Sequence, residues 1–133
     1  MAAPIIQHHP WSETYDDPDH PIPSLSALDV HVVKKGGGSE LLMVIASPLK
    51  GDDRSQGRLL RKLEAYMDFI RSPEYEAQCG KPTPQNTAVV VMMHSGSDLA
   101  IYELLDRCQK SMQEHGVTLR IGYVNDRASD APN

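Results

Sequence analysis

The chain has 133 residues, of which 40% are hydrophobic, and it carries a net charge of −5. This length suits one compact domain, and the two distant cysteines, Cys79 and Cys108, exclude a disulfide framework and a zinc-type ligand pattern. No stretch approaches the roughly 18 apolar residues of a membrane span. The amino terminus lacks the basic and apolar regions of a signal peptide, so we predict a cytoplasmic protein with reduced thiols.

The negative charge is concentrated at the two ends of the chain. Residues 1–26 carry four acidic side chains and no Lys or Arg, and residues 125–133 add one net negative charge. Residues 27–124 are therefore neutral overall, which is a poor electrostatic match for nucleic acid or for an anionic membrane surface. We predict that neither is a partner.

The amino-terminal segment is rich in proline, serine and aspartate. Residues 1–26 contain five prolines, and such a segment buries too little apolar surface to offset the entropy lost on ordering. We predict that residues 1–26 and 125–133 are disordered tails and that residues 27–124 form a single α/β domain.

The first half of this domain predicts a β-hairpin. Apolar and polar residues alternate over 28–33, as in a half-buried strand, and a glycine-rich turn over 34–40 leads into the wholly apolar run 41–47. Such a continuous run is typical of a strand that is buried on both faces.

A long helix is predicted to begin at Asp52 or Asp53. Charged residues, including Arg58 and Lys62, fill one face of this helix. Ser72-Pro73 is predicted to end it, with only a weaker turn from Glu74 to Cys79. The apolar residues recur at intervals of three and four and share the opposite face: Leu59, Leu60, Leu63, Tyr66, Met67 and Ile70.

The second half of the domain repeats the strand–helix pattern. Residues 87–93 form another wholly apolar run, and a short turn then leads into a helix with a buried stripe over 101–112. Ser95 or Ser97 is predicted to cap this helix and Gly116 to end it. Residues after Gly116 alternate again and predict a last strand over 119–123.

These elements predict an α/β fold with a four-stranded mixed sheet, in the order β-β-α-β-α-β, and two helices mainly on one face. The hairpin pairs antiparallel, and the later strands pair parallel through right-handed crossovers. The alternating first and last strands suit the sheet edges. Because both faces of the central strands are apolar, we expect the helix-free face to be covered by the amino-terminal tail, a second copy of the chain or another protein.

The turn from His94 to Asp98 is the candidate functional site. Backbone amides at the start of a helix can hold an anion, and Ser95 or Ser97 could be phosphorylated there. A simple helix cap explains the same residues. His94 beside two serines also suggests acyl chemistry, but no orienting acid or oxyanion partner can be named, so no catalytic residue is assigned.

Two further segments resemble sites but have simpler interpretations. The Gly36–Gly38 run lacks the spacing of a phosphate-binding loop. A cluster of metal-ligating residue types lies in a segment with no scaffold to fix its geometry: His8, His9, Asp16, Asp17, Asp19 and His20. We therefore predict no metal site and no cofactor.

The segment from Leu59 to Ser72 reads LLRKLEAYMDFIRS. It resembles the central L-x-x-K-L-x-x-Y-x-x-F-I helix of a family of small bacterial proteins of unknown function, over roughly residues 28–124. That resemblance implies a fold and no reaction. The element order is also similar to STAS domains of anti-sigma-factor antagonists, which carry a phosphorylatable serine before a helix; Ser95 or Ser97 would be its counterpart.

Three functions are compatible with this sequence. The leading hypothesis is a non-enzymatic module that binds a protein partner or itself, as a homodimer, through the uncovered apolar sheet face. The first alternative is a STAS-like regulatory domain switched by phosphorylation at Ser95 or Ser97. The second is a small enzyme or anion-binding site at the turn from His94 to Asp98.

Overall fold

The computed structural model describes residues 16–124, which form one mixed sheet with helices. The predicted α/β class and the predicted strands are confirmed, and one additional short helix is present. In chain order the elements are β1 (Val30–Val33), β2 (Ser39–Val44), α1 (Asp53–Ile70), α2 (Pro73–Cys79), β3 (Thr87–Met93), α3 (Leu99–Glu114) and β4 (Thr118–Tyr123).

The four strands lie in the order β1-β2-β3-β4, so the continuous apolar strands are central and the alternating strands are at the edges. β1 pairs antiparallel with β2, whereas the β2–β3 and β3–β4 pairs are parallel. Both crossovers advance in the same direction across the sheet. Right-handed connections therefore place the helices on one face, which we call the closed face.

The additional helix α2 lies where the sequence predicted only a weak turn. Ser72 is its N-cap and accepts a hydrogen bond from the Tyr75 amide, while Pro73 occupies the first helical turn. Proline is favoured there because its missing N–H group would have no partner within the helix. The Ser-Pro pair thus ends α1 and also begins α2.

The closed face carries the hydrophobic core. Alternate residues of the central strands point into it and are completely buried, among them Leu41, Met43, Val89 and Val91. The predicted apolar stripe of α1 is buried against them. Asp52 caps α1, as one of the two predicted start positions, and its side chain accepts a hydrogen bond from the Ser55 amide.

The core extends upstream of the predicted domain boundary at residue 27. Ile22 is 1% exposed and Leu25 is 4% exposed, so residues 16–26 pack on the domain instead of forming a disordered tail. Residues 1–15 and 125–133, for which disorder is also predicted, lie outside the described part of the chain.

This upstream segment changes the surroundings of the charged face of α1. Arg58 and Lys62 were predicted on the solvent side, but they are 0% and 2% exposed. Arg58 donates to the carbonyl oxygens of Ile22, at 2.7 and 3.0 Å, and Pro23, at 3.2 Å, and Lys62 donates to the Asp29 carboxylate at 3.1 Å. Long basic side chains can be buried in this way because their donors find acceptors.

The hairpin turn between β1 and β2 fits closely against the start of β3. Gly38 has a φ of 86°, and a Cβ atom at this position would lie 2.1 Å from the backbone oxygen of Asn86. Only glycine satisfies both the left-handed backbone and the close approach. Gly36 also has a positive φ, but a Cβ there would meet nothing within 4 Å.

Candidate functional site

The helix-free face of the sheet, which we call the open face, exposes a row of apolar side chains. Among the described residues six large hydrophobic side chains are exposed, and three of them lie here: Val30 (41%), Val32 (47%) and Val44 (37%). The strand register places half-buried Leu42 and Val90 between them, because directly paired residues share a face. Apart from Glu40, which is paired with Val32, the open face is therefore apolar over β1, β2 and β3.

An ion pair crosses one end of the open face. Arg120 on β4 donates to the Glu40 carboxylate on β2 at 2.7 Å, and Lys34 lies 4.0 Å from the same carboxylate. Since β3 lies between β2 and β4, the Arg120 side chain must cross it, and Ala88 on β3 is only 4% exposed. The face thus has a charged end and an apolar end.

Met92 contributes an adaptable side chain at the apolar end. A Cβ atom at Gly122 on β4 would lie 2.7 Å from the Met92 sulfur, so this thioether occupies the space that Gly122 leaves empty. Methionine side chains adjust their shape to a contacting surface more readily than branched ones.

The predicted site residues His94, Ser95, Ser97 and Asp98 lie together in the turn between β3 and α3. Neither serine is the N-cap: Asp98 caps α3 by accepting from the Ala100 amide at 3.0 Å. The Ser97 hydroxyl accepts instead from the Leu49 amide at 3.0 Å. Ser97 therefore ties this turn to the loop that follows β2.

Three amides of this turn are already bound within the protein. The Gly96 amide donates to Nδ1 of His94 at 3.0 Å, the Ser97 amide to the His94 carbonyl, and the Asp98 amide to the Leu49 carbonyl. An incoming anion would have to displace these acceptors and approach the Asp98 carboxylate. This geometry favours a structural turn over an anion site.

Sequence reasoning missed a histidine–serine contact that involves one of the predicted tail residues. His20 accepts a hydrogen bond from the Ile22 amide at its Nδ1, 2.9 Å away, so the neutral ring carries its proton on Nε2. That Nε2–H group donates to the Ser55 hydroxyl at 3.1 Å. Ser55 in turn hydrogen-bonds to Asp52, which is the main reason why the pKa of Asp52 is lowered.

The direction of these hydrogen bonds opposes nucleophilic catalysis. A serine nucleophile needs a histidine nitrogen that accepts its proton. Here Nε2 of His20 donates to Ser55, and Nδ1 is occupied by the Ile22 amide. The contact instead attaches the upstream segment to α1.

The sequence also places other side chains of metal-ligating types in this segment. Asp17 pairs with Arg54, a hydrogen bond that lowers the pKa of Asp17, and Asp19 donates its amide to the Asp17 carboxylate. His8 and His9 lie outside the described residues. Within residues 16–124 no group of three His, Cys, Asp or Glu side chains could hold a metal ion.

Both cysteines are buried thiols. The Cys79 sulfur lies 3.9 Å from Nε2 of His31, whose ring also packs against Phe69 and Tyr75. Burial lowers the pKa of His31 and raises the pKa of Cys108. Because Cys79 is 2% exposed, a substrate could not reach its sulfur without movement of α2.

An open cleft of about 450 Å³ lies where α1 and α3 end. Its walls alternate basic and acidic side chains, with Arg71 and Lys81 beside Glu76 and Glu114. Such a mixture indicates no single class of ligand.

No family model, curated protein or solved structure matches the chain. The resemblances to the small bacterial family and to STAS domains therefore remain predictions. Of the helices within residues 16–124, none combines the length and the apolar character needed to cross a bilayer.

Proposed function

We propose that this protein is a non-enzymatic interaction module that pairs with a second copy of itself through the open face. The observation that carries this proposal is the position of three exposed valines, Val30, Val32 and Val44, on the one sheet face that no helix within residues 16–124 covers. Removing such a patch from water provides a driving force for association.

A second copy is the favoured occupant because of the shape and charge of the face. A sheet presents a flat, pleated surface, which another sheet can cover by face-to-face packing. The charged end carries both signs, since Glu40 lies between Lys34 and Arg120. A surface with both signs at one end can pair with its own copy across a twofold axis.

An enzymatic function is less well supported by the same residues. The Gly96, Ser97 and Asp98 amides of the turn are bound internally. The His20 tautomer cannot accept a proton from Ser55. An interaction module needs no activated nucleophile, only a complementary surface.

The test compares two neighbouring valines of β1. Val32 is 47% exposed on the open face, whereas Val33 is 42% exposed and faces the opposite way at the sheet edge. Sedimentation velocity of the wild type, Val32→Lys and Val33→Lys is measured over a wide concentration range. We expect a wild-type dimer that Val32→Lys weakens and Val33→Lys does not.

A wild type that stays monomeric at every concentration would contradict the proposal, as would equal effects of the two lysines. Binding of an unrelated protein that Val32→Lys abolishes, with a monomeric wild type, would also overturn self-pairing. It would assign the open face to another partner.

Phosphorylation at the turn is a second candidate function, favoured by the contact of Ser97 with Leu49. A phosphate on this hydroxyl would disturb the hydrogen bond to the loop after β2. Intact-mass measurement of protein purified from its native cells tests the idea, with Ser97→Ala and Ser95→Ala as site controls. Absence of a phosphorylated species under all growth conditions would exclude it.

A further inference from the structure

We propose that His20 is a pH-sensitive clasp, which holds residues 16–26 on α1 while its ring is neutral and releases them when the ring is protonated. This inference concerns the helical side of the molecule and does not depend on the proposed pairing of the open face.

Both ring nitrogens of His20 make hydrogen bonds. Nδ1 accepts from the Ile22 amide at 2.9 Å, a bond within the segment, and Nε2 donates to Ser55 on α1 at 3.1 Å, a bond between the segment and the helix. Protonation would place a hydrogen on Nδ1. The Ile22 amide would then face another donor, and its hydrogen bond would be lost.

The lost bond lies beside the main anchors of the segment. Ile22 is 1% exposed, and its carbonyl oxygen accepts two hydrogen bonds from the buried guanidinium of Arg58. A shift of the backbone at Ile22 therefore disturbs apolar packing and charged hydrogen bonds together. The segment has no pairing with the sheet. Besides His20, it is retained by buried Ile22 and Leu25, by the hydrogen bonds from Arg58 and by the ion pair between Asp17 and Arg54.

The charges around His20 also oppose its protonation. Burial lowers the pKa of His20, and the nearby guanidinium groups of Arg58 and Arg54 lower it further. Asp17 and Asp52 act in the opposite direction but are smaller influences. Asp17 belongs to the segment, Asp52 is the N-cap of α1, and Arg54 and Arg58 lie in the first turns of α1.

The direction of the pH effect follows from the lowered pKa. Above the ordinary histidine pKa of about 6.5, neither state binds the proton and the segment stays attached. As the pH falls through that value, the released segment binds a proton that the attached segment excludes, and attachment weakens. The weakening is complete below the lowered pKa of the attached state.

Titration of Asp17 and Asp52 does not produce the same transition. Hydrogen bonds lower the pKa values of Asp17 and Asp52 below the ordinary value of 3.8. Their contributions to attachment are thus lost only in more acidic solution, well separated from the histidine range.

The experiment follows the protection of the Ile22 amide by NMR hydrogen exchange between neutral and mildly acidic pH, corrected for the intrinsic exchange rate. His20→Asn retains a side-chain acceptor for the amide two residues ahead and does not titrate. The matched control is His94→Asn, because Nδ1 of His94 makes the same bond to the Gly96 amide but holds no upstream segment.

In the wild type and in His94→Asn, we expect protection at Ile22 to fall at least about fivefold on acidification, the effect of one lost hydrogen bond. Protection at Val91 in β3 should not change. In His20→Asn the protection of Ile22 should become independent of pH. The ¹⁵N spectrum of the wild-type ring should show the Nε2–H tautomer at neutral pH.

Unchanged wild-type protection across the titration of His20 would overturn the proposal, and so would a pH response that persists in His20→Asn. If His20→Asn detaches the segment at all pH values, the tautomer of the wild-type His20 ring tests the proposal instead. An Nδ1–H tautomer at neutral pH refutes the clasp, whereas an Nε2–H tautomer lost together with Ile22 protection supports it.

Discussion

The two faces of the sheet are built from the same kinds of side chain but have different surroundings. Leu41 and Leu42 are neighbours on β2, yet Leu41 is completely buried on the closed face and Leu42 is half-buried on the open face. The difference arises because both crossover connections place their helices on one side. Apolar composition therefore identifies a central strand, while chain connectivity decides which of its faces is covered.

The largest difference between the faces is expected from truncating these two leucines. Leu41→Ala should lower the free energy of unfolding by about 3 kcal/mol, because it leaves a cavity in a close-packed core. Leu42→Ala should cost only about 1 kcal/mol, because solvent or a rearranged neighbour can fill the space. Urea unfolding monitored by circular dichroism measures both, at a protein concentration low enough to keep the chain monomeric.

Equal losses for Leu41→Ala and Leu42→Ala in the monomer would contradict the assignment of one covered and one uncovered face. A loss for Leu42→Ala that grows with protein concentration would instead support self-pairing, because dimer formation adds to apparent stability.

A hydroxyl network on the closed face should give the next largest effect. Tyr75, Ser39 and Thr87 are buried, and the Tyr75 hydroxyl lies 2.7 Å from Ser39 Oγ and 3.0 Å from Thr87 Oγ1. Tyr75→Phe should destabilise the fold by about 1–2 kcal/mol, since it leaves a buried hydroxyl without this partner. Thermal unfolding measures the change.

Tyr123→Phe is the matched control for this substitution, because Tyr123 is 40% exposed and water can replace its hydroxyl contacts. If the two phenylalanine variants have the same melting temperature, the network contributes nothing to stability.

The smallest effect is expected at the charged end of the open face. Arg120→Met removes the ion pair with Glu40, whose two side chains are partly exposed. The substitution should change the unfolding free energy by less than about 1 kcal/mol. The difference from wild type should shrink as salt is added, because exposed charges are screened. A large effect that salt does not reduce would show that this pair behaves as a buried one.

Much of the fold could be predicted because it is determined by local sequence patterns. The apolar runs on β2 and β3, the start of α1 at Asp52 or Asp53 and the central position of the continuous strands were all predicted correctly. Each of these features depends on hydrophobic periodicity or on a cap within a few residues, and such signals are contained in short stretches of sequence.

The features that were missed depend on contacts between distant parts of the chain. Arg58 and Lys62 were predicted to face solvent. They are buried because residues 16–26 and Asp29 pack against them. The proline-rich composition of that segment concealed the two anchors Ile22 and Leu25. The roles of His20 and Ser97 were missed for the same reason, because their partners lie 35 and 48 residues away.

The close fit of Gly38 determines where the molecule accepts extra sequence. A linker or fluorescent tag inserted between Lys35 and Gly36 would project from the hairpin tip, where a side chain at Gly36 meets nothing within 4 Å. One additional residue after Gly37 would instead displace Gly38 from Asn86 and shift the start of β2 relative to β3. The glycine run thus combines a permissive position for protein engineering with a position that admits no change.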